Sequence, residues 1–218
     1  MLKKLRDEVC TANASLPAHG LVIFSEGNVS ALSSNSKYIA IKPSGVPYEK
    51  LRSKDIVIVD RNGKTIYGSL KPSTDLPTHL EIYKHFPFLR CIVHTHSPYA
   101  TIFAQKRQKI PCLGTTHADN FCGDVPVTKN LSKEEIQKNY EVNTGKAICR
   151  VLNEKIPAVL VANHGPFVFG KTISEAINNA VVLEKVAFMA INGGVKAPQA
   201  LTFKHFSRKH GSSRYYGQ

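Results

Sequence analysis

Apolar positions change their period several times along this chain. Leu2, Leu5, Val9 and Ala12 recur at three- and four-residue spacing, which predicts an amphipathic helix at the start. Short apolar runs follow at residues 21–24, 38–41, 56–59, 91–93, 158–162 and 167–169. Gly, Pro, Asn or Asp bound them, and runs of this length and punctuation predict strands. Three S/T-x-x-E signatures predict helix starts, since hydroxyl and carboxylate can satisfy each other's orphan amides. Thr78 with Glu81 predicts a helix to His85, Ser132 with Glu135 one to about Leu152, and Thr172 with Glu175 the longest, stopping at Gly193-Gly194. Strands and helices alternate irregularly. The expected fold is a single α/β domain over residues 1–218, with a mixed central β-sheet covered by helices.

Composition narrows this picture modestly. With 218 residues and 42% apolar content the chain can bury a full core. No run approaches the roughly 20 apolar residues of a membrane helix, and the N-terminus turns acidic at Asp7-Glu8, where a signal peptide needs its apolar segment. A cytoplasmic location is expected by default. Five scattered cysteines with no C-x-x-C pair point to reduced thiols, with Cys91 in the core. The net charge of +13 suggests a polyanionic partner or an anionic substrate. The lysines and arginines form no single stripe, however, and helix-turn-helix, zinc-finger and RNA-stacking patterns are absent. Nucleic acid is therefore not the expected partner.

The candidate chemistry begins at His94-Thr95-His96, where the 91–93 strand should end. Residues i and i+2 of a strand share a face, so two imidazoles there can hold one ion. His164-Gly165 follows the 158–162 run and offers a third. Three histidines with an open position suit a catalytic zinc, although an isolated H-x-H also fits hydrogen-bonded strand ends. Four polar clusters accompany them. Gly27-Asn28-Val29-Ser30 follows the 21–24 strand, and is either an Asx-type turn or a site of close backbone approach. Lys42-Pro43-Ser44-Gly45 is a turn or a phosphate cradle, without a Walker loop. Lys71-Pro72-Ser73-Thr74-Asp75 precedes a helix start, where hydroxyls and amides suit an anion and Asp75 could ligate a metal. His117-Ala118-Asp119-Asn120 is the fourth, and the tail ends in Tyr215-Tyr216-Gly217-Gln218.

In their order, G-N-V-S, K-P-S-G-V, P-S-T-D-x-P-T-H, H-T-H-S, T-T-H-A-D, N-H-G-P-F and Y-Y-G-Q resemble the L-ribulose-5-phosphate 4-epimerase family of the class II aldolase/adducin superfamily. The resemblance spans essentially the whole chain. It implies αβα layers and a sugar-phosphate substrate, interconverted by breaking and remaking its C3–C4 bond. It implies one zinc ion per subunit, or Mn²⁺ or Co²⁺ in its place, held by His94, His96 and His164 with Asp75. It assigns Gly27, Asn28, Ser44, Gly45, Ser73 and Thr74 to substrate and phosphate, with Lys42 nearby. Asp119 and Tyr216 become the proton-exchanging pair, reaching the site from a neighbouring subunit of a homotetramer, and the tail of residues 201–218, His205 included, contributes to that site. Thr74 stands where relatives often carry serine, and the chain is shorter than relatives before residue 158 and between 194 and 201. The nearest alternative is a class II sugar-phosphate aldolase of the L-fuculose-phosphate type, which resembles this pattern but carries a longer glutamate where Asp75 stands. A non-catalytic adducin-like module would be expected to lack the histidines.

Overall fold

Helix α1 (Leu2–Ser15) turns Leu5, Val9 and Ala12 inward as their spacing requires, in a computed structural model that describes residues 1–211. Asn13 is buried on the same face. It donates to the carbonyls of Val9 and Val29 and accepts from the Val29 amide at 2.8 Å, which fastens the helix to the sheet.

Among the described residues seven strands form one sheet: β1 (Asn28–Leu32), β2 (Tyr38–Ile41), β3 (Val57–Asp60), β4 (Thr65–Tyr67), β5 (Cys91–His94), β6 (Ala158–Leu160) and β7 (Pro166–Gly170). Their order is β4-β3-β2-β1-β5-β7-β6. Every ladder is antiparallel, and the parallel part of the expected mixed sheet is a single bridge, Val127 to Leu160. Both faces are covered. One buried cluster joins Val93, Leu160 and Val168 to α1 and to α7 (Ile173–Ile191). The other joins Ile41, Val59, Ile92 and Phe169 to α2 (Leu76–His85) and α6 (Tyr140–Cys149). Burial on both faces explains why β3 and β5 read as unbroken apolar runs and not as alternating ones. None of the described helices is long and apolar enough to cross a membrane.

The sequence signals and the structure differ in three places. Residues 21–24 are no strand: Leu21 and Val22 enter the core, Phe24 turns out with φ +52°, and the strand starts later, at Asn28. Helix α2 starts before Thr78, with Asp75 at its N-cap position and Pro77 in its first turn. Thr78 instead donates to the Glu141 carbonyl at 2.7 Å, tying α2 to α6. The Ser132–Glu135 capping box is formed, with bonds of 2.8 and 3.1 Å, but the helix it opens is short. α5 (Lys133–Gln137) ends where Asn139 adopts φ +57° and Asn143 donates to the carbonyls of Glu135 and Lys138. Thr172 caps α7 as expected. Three further helices carried no clear start signal: α3 (Pro98–Lys106), α4 (Thr115–Ala118) and α8 (Gln199–His210).

Candidate metal centre

The two histidines of the H-T-H triplet leave the sheet at the end of β5. His94 is its last residue, lying between Asn28 of β1 and Phe167 of β7 in register. Its ring stacks on Phe167 at 4.1 Å, and its Nδ1–H donates to the Pro166 carbonyl at 3.0 Å. That bond fixes the tautomer and leaves Nε2 with its lone pair free. His96 lies just beyond the strand. His164 comes from the β6–β7 turn, where Asn163 takes φ +62° and the His164 amide closes onto Val161. Ring centroids of the three histidines lie 4.7 to 5.0 Å apart, and one ligand atom from each falls within 4.8 Å of the others.

This convergence needs two bare backbones. A Cβ on Gly165 would sit 2.6 Å from the Thr95 carbonyl and 3.2 Å from the His96 ring. A Cβ on Gly27, whose φ is +70°, would sit 2.7 Å from the His94 carbonyl. The invitation to close backbone approach read in G-N-V-S is therefore met at Gly27.

The donors fit a divalent ion. Burial, outweighing the nearby Asp75 carboxylate, pushes His94 down to about 3, and burial lowers His164 as well. The His94 imidazole is therefore neutral and able to ligate well below pH 7, and burial favours the neutral form of His164 too. Nε2 of His96 is buried without a partner among the described residues, as a metal-facing nitrogen would be. Asp75 Oδ2 lies 3.9 Å from His94 Nε2 and accepts from Asn28 Nδ2 at 2.8 Å. Burial opposes its ionisation, but His94, His79, His164 and the Asn28 bond together hold its carboxyl below the usual range.

The same cavity, of about 200 Å³, carries the anion-binding candidates on its other wall: Gly27, Asn28, Lys42, Ser44, Gly45, Ser73 and Thr74. Two loops pair to build that wall. The Ser44 amide donates to Lys71 and the Ser73 amide to Lys42, flanking a bridge between Pro43 and Pro72. Lys42 is buried, with its ammonium on the Ser25 carbonyl at 2.9 Å and no carboxylate within ion-pair distance among the described residues. Burial pushes it down to about 8. A cation desolvated without a counter-charge favours an anionic ligand. A larger cavity of about 500 Å³ lies by α8, lined by Cys112, Cys122 and Thr202. It has no histidine, and its Lys196 is already paired with Asp124 at 2.7 Å, so the smaller cavity is the candidate site.

Asp119 is not among the residues lining the metal cavity. It closes α4 and faces α8, where its carboxylate meets His205 Nδ1 at 3.1 Å and Arg208 at 3.4 Å. His117, grouped with it by sequence, points away into the fold and donates to the Gly123 carbonyl at 2.8 Å, because i and i+2 diverge on a helix. Tyr216 and the end of the tail lie outside the described residues.

Three contributors had no role assigned from the sequence, although His79 closes the P-S-T-D-x-P-T-H motif. Glu26 Oε2 lies 3.4 Å from His96 Nδ1, and the Tyr140 hydroxyl lies 3.5 Å from His164 Nδ1. Fully buried His79 bonds Ser30 Oγ at 2.7 Å, and Ser30 bonds Tyr83 at 2.9 Å. His79 meets Phe167 edge-on, behind the ring on which His94 stacks, and burial pushes it down to about 4. Each contact joins segments distant in the chain, so no local spacing announces it.

A sheet flanked by helices that ends in three converging imidazoles defines an α/β fold with a candidate metal centre. The chain belongs to the family described as the class II aldolase and adducin N-terminal domain, whose model matches residues 7–191. Among solved structures, an L-fuculose 1-phosphate aldolase is 27% identical, with a TM-score of 0.80 over 94% of this chain and 95% of that one. The protein YgbL from Klebsiella pneumoniae is also 27% identical, with a TM-score of 0.75 over 94% and 98%. An L-fuculose-1-phosphate aldolase from Thermus thermophilus, at 22% identity and a TM-score of 0.70 over 88% and 95%, shares the fold.

Proposed function

We propose that this protein is a metal-dependent L-ribulose-5-phosphate 4-epimerase, interconverting L-ribulose 5-phosphate and D-xylulose 5-phosphate. The observation that carries the reading is one cavity in which three imidazoles and a carboxylate face a lysine, hydroxyls and backbone amides. One wall suits a Lewis acid and the other a phosphate ester. C4 of this substrate has no neighbouring carbonyl, so its hydrogen is not acidic enough for inversion by deprotonation. Cleaving C3–C4 instead sends the bonding electrons toward the C2 carbonyl and frees glycolaldehyde phosphate, which adds back through its other face. His94, His96 and His164 with Asp75 would hold zinc, or Mn²⁺ or Co²⁺ on the same donors, which would supply Lewis-acid chemistry to this wall of the cavity. Lys42, Ser44, Gly45, Ser73 and Thr74, with Gly27 and Asn28, hold the phosphate so that the aldehyde turns without leaving. Asp119 and Tyr216 exchange the proton of the C4 hydroxyl, one on each face. They act from a neighbouring subunit of a homotetramer: Asp119 lies outside its own chain's cavity and against the α8 tail.

The 27% identical L-fuculose 1-phosphate aldolase favours a second reading, an aldolase that releases its fragments. Asp75 weighs against it, being shorter than the glutamate base expected there and already engaged by Asn28. The test is a coupled assay for D-xylulose 5-phosphate made from L-ribulose 5-phosphate, with and without a chelator. Chelator-sensitive product is expected, with a fall of at least about 10³-fold, some 4 kcal/mol of barrier, on metal removal. Free glycolaldehyde phosphate without epimer would assign the protein to the aldolases.

A further inference from the structure

We infer that Glu26 is a positioning residue for the metal centre, a carboxylate that orients His96 and adds negative charge behind it; the inference rests on the His94, His96 and His164 metal site proposed above. The three imidazoles are not held alike. His94 meets a neutral carbonyl through Nδ1, and His164 a neutral phenol. His96 meets a carboxylate, with Oε2 of Glu26 at 3.4 Å from Nδ1.

The rest of Glu26 is held by its own turn and by Tyr48. Its Oε1 accepts from the Ile23 amide at 3.3 Å, its own amide closes a turn on Ile23, and its carbonyl accepts from the Tyr48 hydroxyl at 2.8 Å. Gly27 follows at φ +70°, pressed against the His94 carbonyl. The turn that carries Glu26 is thus braced on the very segment that carries the histidines. On the far side of the His96 ring, Nε2 is buried and without a partner among the described residues. A ring with a carboxylate at Nδ1 and a vacant Nε2 carries its proton on Nδ1 and presents a lone pair at Nε2. Like Asp75, Glu26 stands outside the cluster of three imidazoles; it lines the same cavity and meets that cluster at His96 Nδ1. Its charge acts through the imidazole: it makes Nε2 a stronger donor and, with Asp75, offsets the two positive charges of the ion.

Carboxylates in this arrangement change metal affinity by about 10- to 100-fold. Full-length protein, stripped of metal, would be titrated with zinc against a chromophoric chelator. Glu26→Gln keeps the size and the Ile23 bond but loses the charge, and is expected to bind zinc about 10- to 100-fold more weakly. Glu26→Asp, whose carboxylate stops one methylene short, should fall between. In a His96→Ala background, Glu26→Gln should cost little further, because the ring it acts through is gone. Wild-type zinc affinity in Glu26→Gln, or an equal loss in both backgrounds, would overturn the inference. So would an unchanged zinc affinity with a raised KM, which assigns Glu26 to the substrate. Zinc binding is read without turnover: wild-type protein that binds zinc tightly but makes no D-xylulose 5-phosphate removes the proposed reaction and leaves Glu26 standing, and wild-type protein that binds no zinc removes both.

Discussion

Lys42 carries its ammonium into a wall of backbone carbonyls and the Tyr48 ring, with its nitrogen 4.8 Å from the ring centre. Its folded-state pKa of about 8 lies below the ordinary lysine value of 10.5. Between those values the unfolded chain binds the additional proton, so the burden that Lys42 places on folding is full below about pH 8 and is relieved as pH rises toward 10.5. Lys42→Met should therefore be more stable than wild type at pH 7, with the gap closing by pH 10, as read by urea unfolding at both. The same variant should bind a phosphate ester about 10- to 100-fold more weakly, since a hydrogen bond to a charged group contributes about 1.5–3 kcal/mol. A variant stabilised at both pH values alike would contradict the buried charge. Lys42, Ser44, Ser73 and the three histidines were legible as residues, because strand ends and Gly/Pro turns mark them. Glu26 and Tyr140 were not: a glutamate in a turn and a tyrosine on a helix look ordinary until folding brings an imidazole beside each.

Elements place these residues, and the contacts holding the elements came from unexpected partners. α3 begins directly after His96, and no side chain of its own caps it. Glu184 of α7 does so instead, accepting from the Tyr99 and Ala100 amides at 2.8 and 3.0 Å. A carboxylate on exposed helix amides is favourable both as an acceptor and against the helix dipole. Glu184→Ala is expected to cost about 1–2 kcal/mol, and hence to lower Tm by about 2–8 °C for a chain of this size. An unchanged Tm would show that water caps α3 equally well. The opening helix and most strands were legible because their faces are apolar. β1 was not, since Asn28 and Ser30 break the apolar pattern; Asn28 Nδ2 donates to Asp75 and Ser73, and Ser30 bonds His79 and Tyr83, partners from a later segment. The misplaced start of α2 has a similar cause, with Thr78 spending its hydroxyl on α6.

At the scale of the molecule the proposed site is divided. His94, His96 and His164 share a cavity, while Asp119 sits with His205 on the α4–α8 side of the chain. If Asp119 serves a neighbour, two inactive variants should repair one another. His96→Ala lacks a ligand and Asp119→Asn lacks the proton-exchanging carboxylate. Co-assembled in equal amounts from unfolded chains, they should recover about a quarter of wild-type activity, the share of random interfaces that join one good half to another. No recovery, despite mixed oligomers demonstrated by differential tagging, would place both halves in one chain.

By itself the sequence determined the residue chemistry and the broad architecture. Three histidines at strand ends, glycines where backbones must touch, and apolar runs of strand length are local properties, fixed by backbone geometry and by the exclusion of apolar surface from water. Tertiary structure decided the strand order, the route by which the β6–β7 turn reaches the β5 end, and the outer partners of the imidazoles. Those depend on contacts between distant segments, whose energies belong to the pair and leave no period in either segment alone.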